Sequence, residues 1–323
     1  MSDIIKVLAP LIEQINKTLA ELIDSDAEIV ARISDYSFMG GGKRLRPLLF
    51  CLITSALGHP LTPSNLATGV AFEFLHLASL LHDDIVDLAE IRRGRAAAHL
   101  TFGVPETVLA GDYLLSKAAA LGADTDNIDC VKIMARVVRS LALGELMQLS
   151  ARRRVNLSEI EYFRIIYRKT AALMEGAAQS ATILAGAGER LAAGARCYGR
   201  QLGLAFQIVD DILDYQSDQQ TFGKPVGHDL DEGKITLPFI RARDSLNPAR
   251  RARLCALAGE DKISHQNHEE IAALVAEGNG TNLARRTATE LTQKARIALN
   301  LFPPSIARKQ LTDLTLHTVN RSN

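Results

Sequence analysis

The chain has 323 residues, and its 37 lysines and arginines balance 37 aspartates and glutamates, so it lacks the basic excess that is usual for a nucleic-acid-binding protein. No apolar run approaches the roughly 20 residues of a membrane-spanning helix, and the N-terminus lacks the basic, apolar and small-residue sections of a signal peptide. The four cysteines are scattered and form no CxxC motif, which is typical of a reduced cytoplasmic protein rather than a disulfide framework or a zinc site.

Hydrophobic periodicity predicts helices along nearly the whole chain. Apolar residues recur at helical spacing from Ile4 to Ile23, a short helix follows, and further helical patterns run near 46–57, 63–87, 105–121, 128–152, 157–187 and 189–217. A Gly-rich polar loop covers 222–234, and helices continue to the end, with loops near 258–267 and 278–280. No stretch shows sustained β alternation, and no solenoid repeat is present. We therefore predict one all-α domain over residues 1–323.

Aspartates form two clusters inside apolar helical stretches. Asp83, Asp84 and Asp87 belong to LLHDDIVD, and Asp83 and Asp87 stand one helical turn apart, where like charges destabilise a bare helix. Mg²⁺ relieves such repulsion because it takes carboxylate oxygens together with substrate phosphates. A single cluster of this kind is usually a solvated helix end, but the DDxxD pattern recurs. The second cluster consists of Asp210, Asp211 and Asp214. Two facing clusters predict a pocket for a divalent metal, Mg²⁺ or alternatively Mn²⁺, and a polyphosphate.

Basic and polar residues occur where they can balance these acids. Lys43 and Arg46 follow Gly40-Gly41-Gly42 at the entry to a helix, an arrangement that binds anions, although such a turn is as often simply solvated. His76 precedes Asp83 by seven residues and so shares its helix face. The other candidates are Arg92, Arg93, Lys169, Thr170, Gln207, Lys224 and Lys234. Such a set predicts two anionic groups, one bridged through metal and one held directly by Lys, Arg and His.

The order of these motifs resembles the trans-isoprenyl diphosphate synthases, in particular the bacterial long-chain polyprenyl (octaprenyl-type) enzymes. The motifs GGGKRLRP, LLHDDIVD, RRGR, Gly111-Asp112, Lys169-Thr170, FQIVDDILD and GKPVGHDLDEGKITLP lie in order between Gly40 and Pro238. The resemblance implies an antiparallel helix bundle around a deep central cavity, usually in a homodimer. It also implies a Mg²⁺-dependent prenyltransferase that condenses isopentenyl diphosphate onto an allylic diphosphate, such as farnesyl diphosphate. The expected product is a long-chain all-trans polyprenyl diphosphate for quinone side chains.

The resemblance further implies a role for each candidate residue. The metal ions on the allylic diphosphate would be held by Asp83, Asp84, Asp87, Asp210, Asp211 and Asp214. The same diphosphate would contact Arg92, Lys169, Thr170, Gln207, Lys224 and Lys234. Isopentenyl diphosphate would bind to Gly42, Lys43, Arg46, His76 and Arg93. The expected catalytic residues are Asp83, Asp84, Asp87, Arg92, Lys169, Lys224 and Asp210.

Ala78 and Ser79 bear on the length of the product. They precede Asp83 by about one turn, roughly 6 Å along a helix, where a growing chain anchored at the aspartates must pass. In the family, short-chain enzymes tend to place aromatic residues here, so small side chains predict an open channel and a long product. Small residues at this point would also serve simply to let helices pack closely.

The sequence leaves three alternatives to a catalytic long-chain synthase: a short-chain (farnesyl or geranylgeranyl) synthase, a terpene cyclase and a non-catalytic subunit of a heteromeric synthase. The second DDxxD argues against a cyclase, and the presence of all six aspartates argues against a non-catalytic subunit.

The chain also departs from the family's pattern at Leu88-Ala89, where acidic residues are frequent, and at Arg152-Arg153-Arg154, which is unusually basic for this loop. Neither departure replaces a residue that the resemblance implies to be catalytic.

Overall fold

The computed structural model describes residues 3–23, 27–39, 43–215 and 227–319, and within them the all-α prediction is confirmed. The first part contains α1 (Asp3–Glu21), α2 (Glu28–Met39), α3 (Leu45–Ala56), α4 (Pro63–Val86), α5 (Ala98–Phe102), α6 (Val104–Ala123), α7 (Ile128–Ala151) and α8 (Glu159–Ile166). A π-helical turn (Tyr167–Ala171), α9 (Ala172–Leu184) and α10 (Glu189–Asp214) follow. The last part contains α11 (His228–Asp231), α12 (Leu237–Ser245), α13 (Pro248–Ala258), α14 (His265–Glu277), α15 (Gly280–Ala298), a 3₁₀ turn (Leu299–Leu301) and α16 (Ile306–Val319).

Local capping fixes where two of the helices begin. At the start of α4, the side chain of Thr62 accepts a hydrogen bond from the backbone N–H of Asn65 at 3.2 Å, and Pro63 occupies the first turn. At the start of α8, Ser158 and Glu161 form a reciprocal capping box. Such caps stabilise a helix by about 1 kcal/mol because they satisfy backbone N–H groups that have no partner inside the helix. They mark where α4 and α8 begin.

The prediction of one helix across 157–187 is wrong in detail. The chain is α-helical on both sides of Tyr167–Ala171, but these five residues form a π turn. Two glycines on neighbouring helices let the turn pack closely: a Cβ added to Gly203 would lie 2.6 Å from Cα of Ala171, and one added to Gly144 would lie 2.8 Å from Cβ of Arg168. Single π turns inside α-helices often occur at functional sites, and this one carries Lys169 and Thr170.

A short antiparallel hairpin, which the periodicity did not reveal, follows the first aspartate cluster. Strands β1 (Ile91–Arg92) and β2 (Arg95–Ala96) pair with Ile91 opposite Ala96 and Arg92 opposite Arg95. The turn residues Arg93 and Gly94 have φ angles of 53° and 77°, and positive φ at both central residues is the conformation that suits a two-residue hairpin. With two residues in each strand, there is too little alternation to detect. The hairpin presents Arg92 and Arg93 on one short rigid loop.

The buried side chains form two clusters, and α10 belongs to both. Its first half contributes Ala195, Tyr198 and Leu202 to a cluster shared with α1, α3, α4, α6, α7, α9 and α16. Its second half contributes Ile208 and Ile212 to a cluster shared with α8 and α12 to α15. A central cavity lies where these clusters meet, since Leu45 of the first and Ile165 of the second both line it. Within the described ranges, no helix is long and apolar enough to cross a bilayer.

Candidate active site

The central cavity has a volume of about 670 Å³ and collects most of the residues that the sequence predicted. Its wall includes Lys43, Arg46, His76, Ser79, Asp83, Asp87, Arg92, Arg93, Lys169, Thr170, Gln207, Asp210, Asp211 and Lys234. Two predicted residues, Gly42 and Lys224, lie outside the described residues. Three others, Ala78, Asp84 and Asp214, are described but do not line the cavity. Members of both aspartate clusters thus share one space with cations from distant parts of the chain.

The first aspartate cluster lies at the end of α4 and faces several partners. Burial raises the pKa of Asp83 to about 7, with repulsion from Glu145 and Asp87 acting in the same direction and Lys169 opposing it. Asp87 pairs with Arg152 and lies 3.4 Å from Nζ of Lys234. Each of these contacts comes from a different segment of the chain, so the cluster is assembled by tertiary packing around the end of α4.

Asp84 occupies a different position from its two neighbours. It is buried away from the cavity, and its Oδ1 accepts a hydrogen bond from Nε of Arg92 at 2.8 Å. This contact orients the hairpin arginine towards the site. The metal-binding role predicted for Asp84 therefore stays a prediction, while its pairing with Arg92 gives it a structural role that the sequence pattern did not reveal.

In the second cluster, Asp211 is held by a chain of hydrogen bonds. Thr170 Oγ1 donates to Oε1 of Gln207 at 2.7 Å, and Nε2 of Gln207 donates to Oδ1 of Asp211 at 2.9 Å. The buried hydroxyl of Tyr162 donates to Oδ2 of the same carboxylate at 2.6 Å. Burial raises the pKa of Asp211 well above its usual value, and the nearby Asp229 adds to the effect. This network links the π turn to α10 and gives Tyr162 a role that the sequence did not suggest.

Asp214, the third member of that cluster, lies off the cavity wall. Its Oδ2 accepts a hydrogen bond from the backbone N–H of Asp229 at 3.2 Å. Asp229 itself lines the cavity. In the described structure, Asp214 therefore holds the backbone of α11 beside the cavity. Its role as a metal ligand stays a prediction.

Three basic side chains, a histidine and one carboxylate also line the cavity. They are Lys43, Arg46, His76 and Arg93, together with Glu73. Burial lowers the pKa of His76 well below its usual value, and Arg46 and Arg93 lower it further, so the imidazole is neutral and its ring nitrogens can donate or accept. Nε of Arg46 is buried without a hydrogen-bond partner among the described residues. This part of the wall can receive an anion by direct contact.

Two residues of α7 and the arginine that directly follows it take part in the site, although the sequence analysis assigned none of them a role there. Glu145 pairs with Lys169, Gln148 lines the cavity, and Arg152, at the C-terminal end of α7, pairs with Asp87. Nε2 of Gln148 is buried and has no partner within the described part of the chain. Their spacing of three and four residues places them on one helix face, and this polar stripe was the available signal.

The residues expected to control product length occupy different surroundings. Ser79 lines the cavity, and its hydroxyl donates to the carbonyl oxygen of His76 at 2.8 Å. Ala78 is fully buried and does not contribute to the wall. The adjacent residues therefore face different environments, and a larger side chain at Ser79 would enter the cavity most directly.

Four carboxylates on the wall are candidates to hold a metal ion: Asp83, Asp87, Asp210 and Asp211. No three His, Cys, Asp or Glu side chains of the described ranges are gathered into a preformed metal site. A metal bound here would therefore complete its coordination with oxygens from a ligand or from water. Oxygen donors of this kind suit hard divalent cations.

Comparison with known proteins agrees with this geometry. The family model for polyprenyl synthetases matches residues 27–275. An octaprenyl diphosphate synthase of Haemophilus influenzae is 39% identical over 323 residues, covering 100% of this chain and 97% of that protein. The crystal structure of a decaprenyl diphosphate synthase from Rhodobacter capsulatus superposes with a TM-score of 0.91 at 34% identity, covering 99% of this chain and 98% of that one. A polyprenyl synthase from Caulobacter crescentus, complexed with calcium and isoprenyl diphosphate, gives a TM-score of 0.91 at 32% identity and covers 99% and 97%. The chain therefore belongs to the polyprenyl synthetase family.

Proposed function

We propose that this chain is a Mg²⁺-dependent trans-polyprenyl diphosphate synthase that adds isopentenyl diphosphate to an allylic diphosphate such as farnesyl diphosphate. Its product is a long-chain all-trans polyprenyl diphosphate, which suits the side chain of a quinone. The observation that carries the proposal is the central cavity, where four aspartates of the two DDxxD motifs lie with cations from several segments of the chain. The relatives that make octaprenyl and decaprenyl diphosphates support the long product.

The donor set fits Mg²⁺. Asp83 and Asp211 both have raised pKa values because they are buried and lie near other carboxylates, and a divalent cation would relieve that repulsion. Mg²⁺ usually keeps several waters and binds through one or two carboxylates plus substrate phosphates, so it does not require a preformed protein cage. Asp83 and Asp87 on one side, with Asp210 and Asp211 on the other, would hold it. When bound, it supplies positive charge to the departing diphosphate.

The basic and polar groups of the wall fall into two sets, and each set binds the diphosphate of one substrate. Lys169 and Lys234 lie beside the aspartates, where they stabilise negative charge as the allylic C–O bond ionises. The resulting allylic cation must be protected from water, and apolar residues such as Leu80, Ile165 and Phe206 line the same space. Arg46, His76 and Arg93 hold the diphosphate of isopentenyl diphosphate while its double bond attacks. The departing pyrophosphate accepts the final proton.

The decisive test is an assay of the purified protein with isopentenyl diphosphate and farnesyl diphosphate. We expect pyrophosphate release that requires both substrates and stops when EDTA removes the metal. Mass spectrometry of the dephosphorylated product measures its length. Release from farnesyl diphosphate alone would indicate a cyclase, and no release from any allylic primer would indicate a non-catalytic subunit.

The length of the product is expected to respond to Ser79. Because Ser79 lines the cavity and Ala78 does not, Ser79→Tyr should block the channel and shorten the main product made from farnesyl diphosphate to geranylgeranyl length, while leaving the pyrophosphate release of that first condensation intact. Ser79→Ala serves as the matched control and should give the wild-type product. Ala78→Phe tests the neighbouring position, which the sequence analysis also placed beside the channel. If Ser79→Tyr makes a product of the same length as wild type at the normal rate, the growing prenyl chain takes another path. If the wild-type enzyme itself stops at fifteen or twenty carbons, the short-chain alternative is favoured.

We further propose that the protein is a cytoplasmic homodimer. Helices α6 and α7 pack against each other and carry three large exposed apolar side chains, Leu109, Leu143 and Leu146. Such side chains are commonly covered by a partner surface. The cysteines Cys51, Cys130, Cys197 and Cys255 are free, as is usual in a reducing compartment. Sedimentation equilibrium measures the oligomeric state, and a monomer at assay concentrations would overturn the dimer.

A further inference from the structure

The basic loop after α7 contains an arginine with an unusual backbone conformation. Arg153 has φ of 56°, in the left-handed region that helix-terminating residues adopt and that glycine occupies at least cost. Its neighbours have separate partners: Arg152 pairs with Asp87, and Arg154 pairs with Glu161. The side chain of Arg153 has partners of its own.

The guanidinium of Arg153 binds backbone carbonyl oxygens from two distant loops. Nη2 donates to the carbonyl of Asp261 at 2.6 Å and to that of Asp231 at 3.5 Å, while Nη1 donates to the carbonyl of Glu260. The planar fork of an arginine can reach several acceptors at once, which a lysine ammonium on its flexible stem does less well. The Arg153 side chain therefore joins the end of α7 to the last residue of α11 and to the loop after α13.

The same residue also contacts the turn through its backbone. The N–H of Arg153 donates to the carbonyl of Gly233 at 2.7 Å. Gly233 has φ of 76°, and a Cβ added to it would lie 3.0 Å from Cγ of Arg153. Both residues thus adopt left-handed conformations at a close contact. The turn is fixed to α7 immediately before Lys234.

Lys234, which the motifs place at the allylic diphosphate, follows this turn directly. Its backbone N–H donates to the carbonyl of Asp229 at 2.7 Å, and its Nζ lies 3.4 Å from Oδ2 of Asp87. The same ammonium pairs with Glu232. Its distance from the first aspartate cluster therefore depends on where the turn is held.

We propose that Arg153 is a positioning residue for Lys234. It fixes the 231–234 turn against the end of α7, so that the ammonium of Lys234 lies beside Asp87, where the allylic diphosphate departs. The inference rests on the proposed function, in which Lys234 contacts that diphosphate. It assigns a role to the middle residue of a basic loop that the motifs left without one.

Arg153→Gly tests the proposal because glycine suits the backbone conformation while the side-chain contacts are lost. We expect kcat to fall about tenfold, since small displacements of a charge-stabilising group cost one to two orders of magnitude, with little change in KM for isopentenyl diphosphate. Lys234→Ala should lower kcat by about 10²-fold, and the double variant should match Lys234→Ala alone. Arg153→Lys should resemble Arg153→Gly because it keeps the charge and loses the fork. Arg154→Ala is the control and should keep the wild-type kcat.

Two kinetic outcomes would overturn the proposal. One is a wild-type kcat for Arg153→Gly, whatever its melting temperature, because Arg153 would then serve only stability. The other is independent, multiplicative losses in the double variant. Hydrogen–deuterium exchange of the 227–236 segment provides a readout that needs no turnover: it should be faster in Arg153→Gly than in wild type and Arg154→Ala. If the wild-type protein proves inactive, the proposed function fails. If the 227–236 segment exchanges equally fast in Arg153→Gly and in wild type, the anchoring role of Arg153 is overturned, whatever the activity.

Discussion

Asp83→Asn or Asp210→Asn is expected to lower kcat about 10²–10³-fold. This is the usual cost of removing one group that stabilises transition-state charge. Both carboxylates line the central cavity, and both belong to the aspartate clusters. Asparagine keeps the size of the side chain and removes the negative charge that would hold Mg²⁺. Steady-state kinetics at saturating Mg²⁺ measures the effect.

The same Asp83 variant should be more stable than wild type when metal is removed. The pKa of Asp83 rises from its usual 3.8 to about 7 in the folded protein, so the folded state binds this proton more tightly than the unfolded state. Such a group lowers stability progressively as pH rises between these two values. Asp83→Asn should therefore melt at a higher temperature than wild type at pH 8 in EDTA, and the difference should shrink as the pH falls towards 4.

An exposed aspartate provides the control for both measurements. Asp129 lies in the first turn of α7, on the protein surface, where it pairs with Lys132. Asp129→Asn should leave kcat unchanged. Near wild-type turnover in Asp83→Asn and Asp210→Asn would refute the assignment of metal ligands, and a lower melting temperature for metal-free Asp83→Asn at pH 8 would refute the repulsion that supports it.

The second large effect separates the two anion sites. Arg46→Ala should raise KM for isopentenyl diphosphate about 10–100-fold, the range expected from losing a hydrogen bond to a charged group, with a smaller change in kcat. Arg46 lies with His76 and Arg93 in the part of the wall that offers direct contact. Lys169→Ala should instead lower kcat, because Lys169 lies among the residues that surround Asp83. A rise in KM at constant kcat marks lost uniform binding, and a fall in kcat marks lost transition-state stabilisation.

Varying one substrate at saturating concentrations of the other distinguishes these two patterns. Lys132→Ala, at an exposed position on α7, is the control and should leave both parameters unchanged. Equal changes in kcat and KM for Arg46→Ala and Lys169→Ala would contradict the division of the cavity into two sites. Lys224, the other lysine expected beside the allylic diphosphate, lies outside the described residues and can be tested in the same way.

Local sequence signals predicted most of the helices and the type of site. The apolar periodicity of 63–87 and 189–217 corresponds to α4 and α10, which carry the two aspartate clusters. The periodicity could not distinguish the π turn at Tyr167–Ala171 from the α-helices on either side, because the turn depends on close packing against Gly144 and Gly203. The hairpin at Arg93 was too short to show a strand pattern.

The sequence by itself determined the all-α class, the two DDxxD clusters and the family, because helical periodicity and motif spacing are local properties of the chain. The tertiary structure decided which motif residues share the cavity: Asp83 and Asp87 line it, while Asp84 turns to Arg92. It also placed Tyr162 on Asp211 and Arg153 on the turn that carries Lys234. The contacts of Tyr162 and Arg153 join residues far apart in the chain. No local pattern specifies them, since they arise only when the helices pack and buried polar groups must find partners.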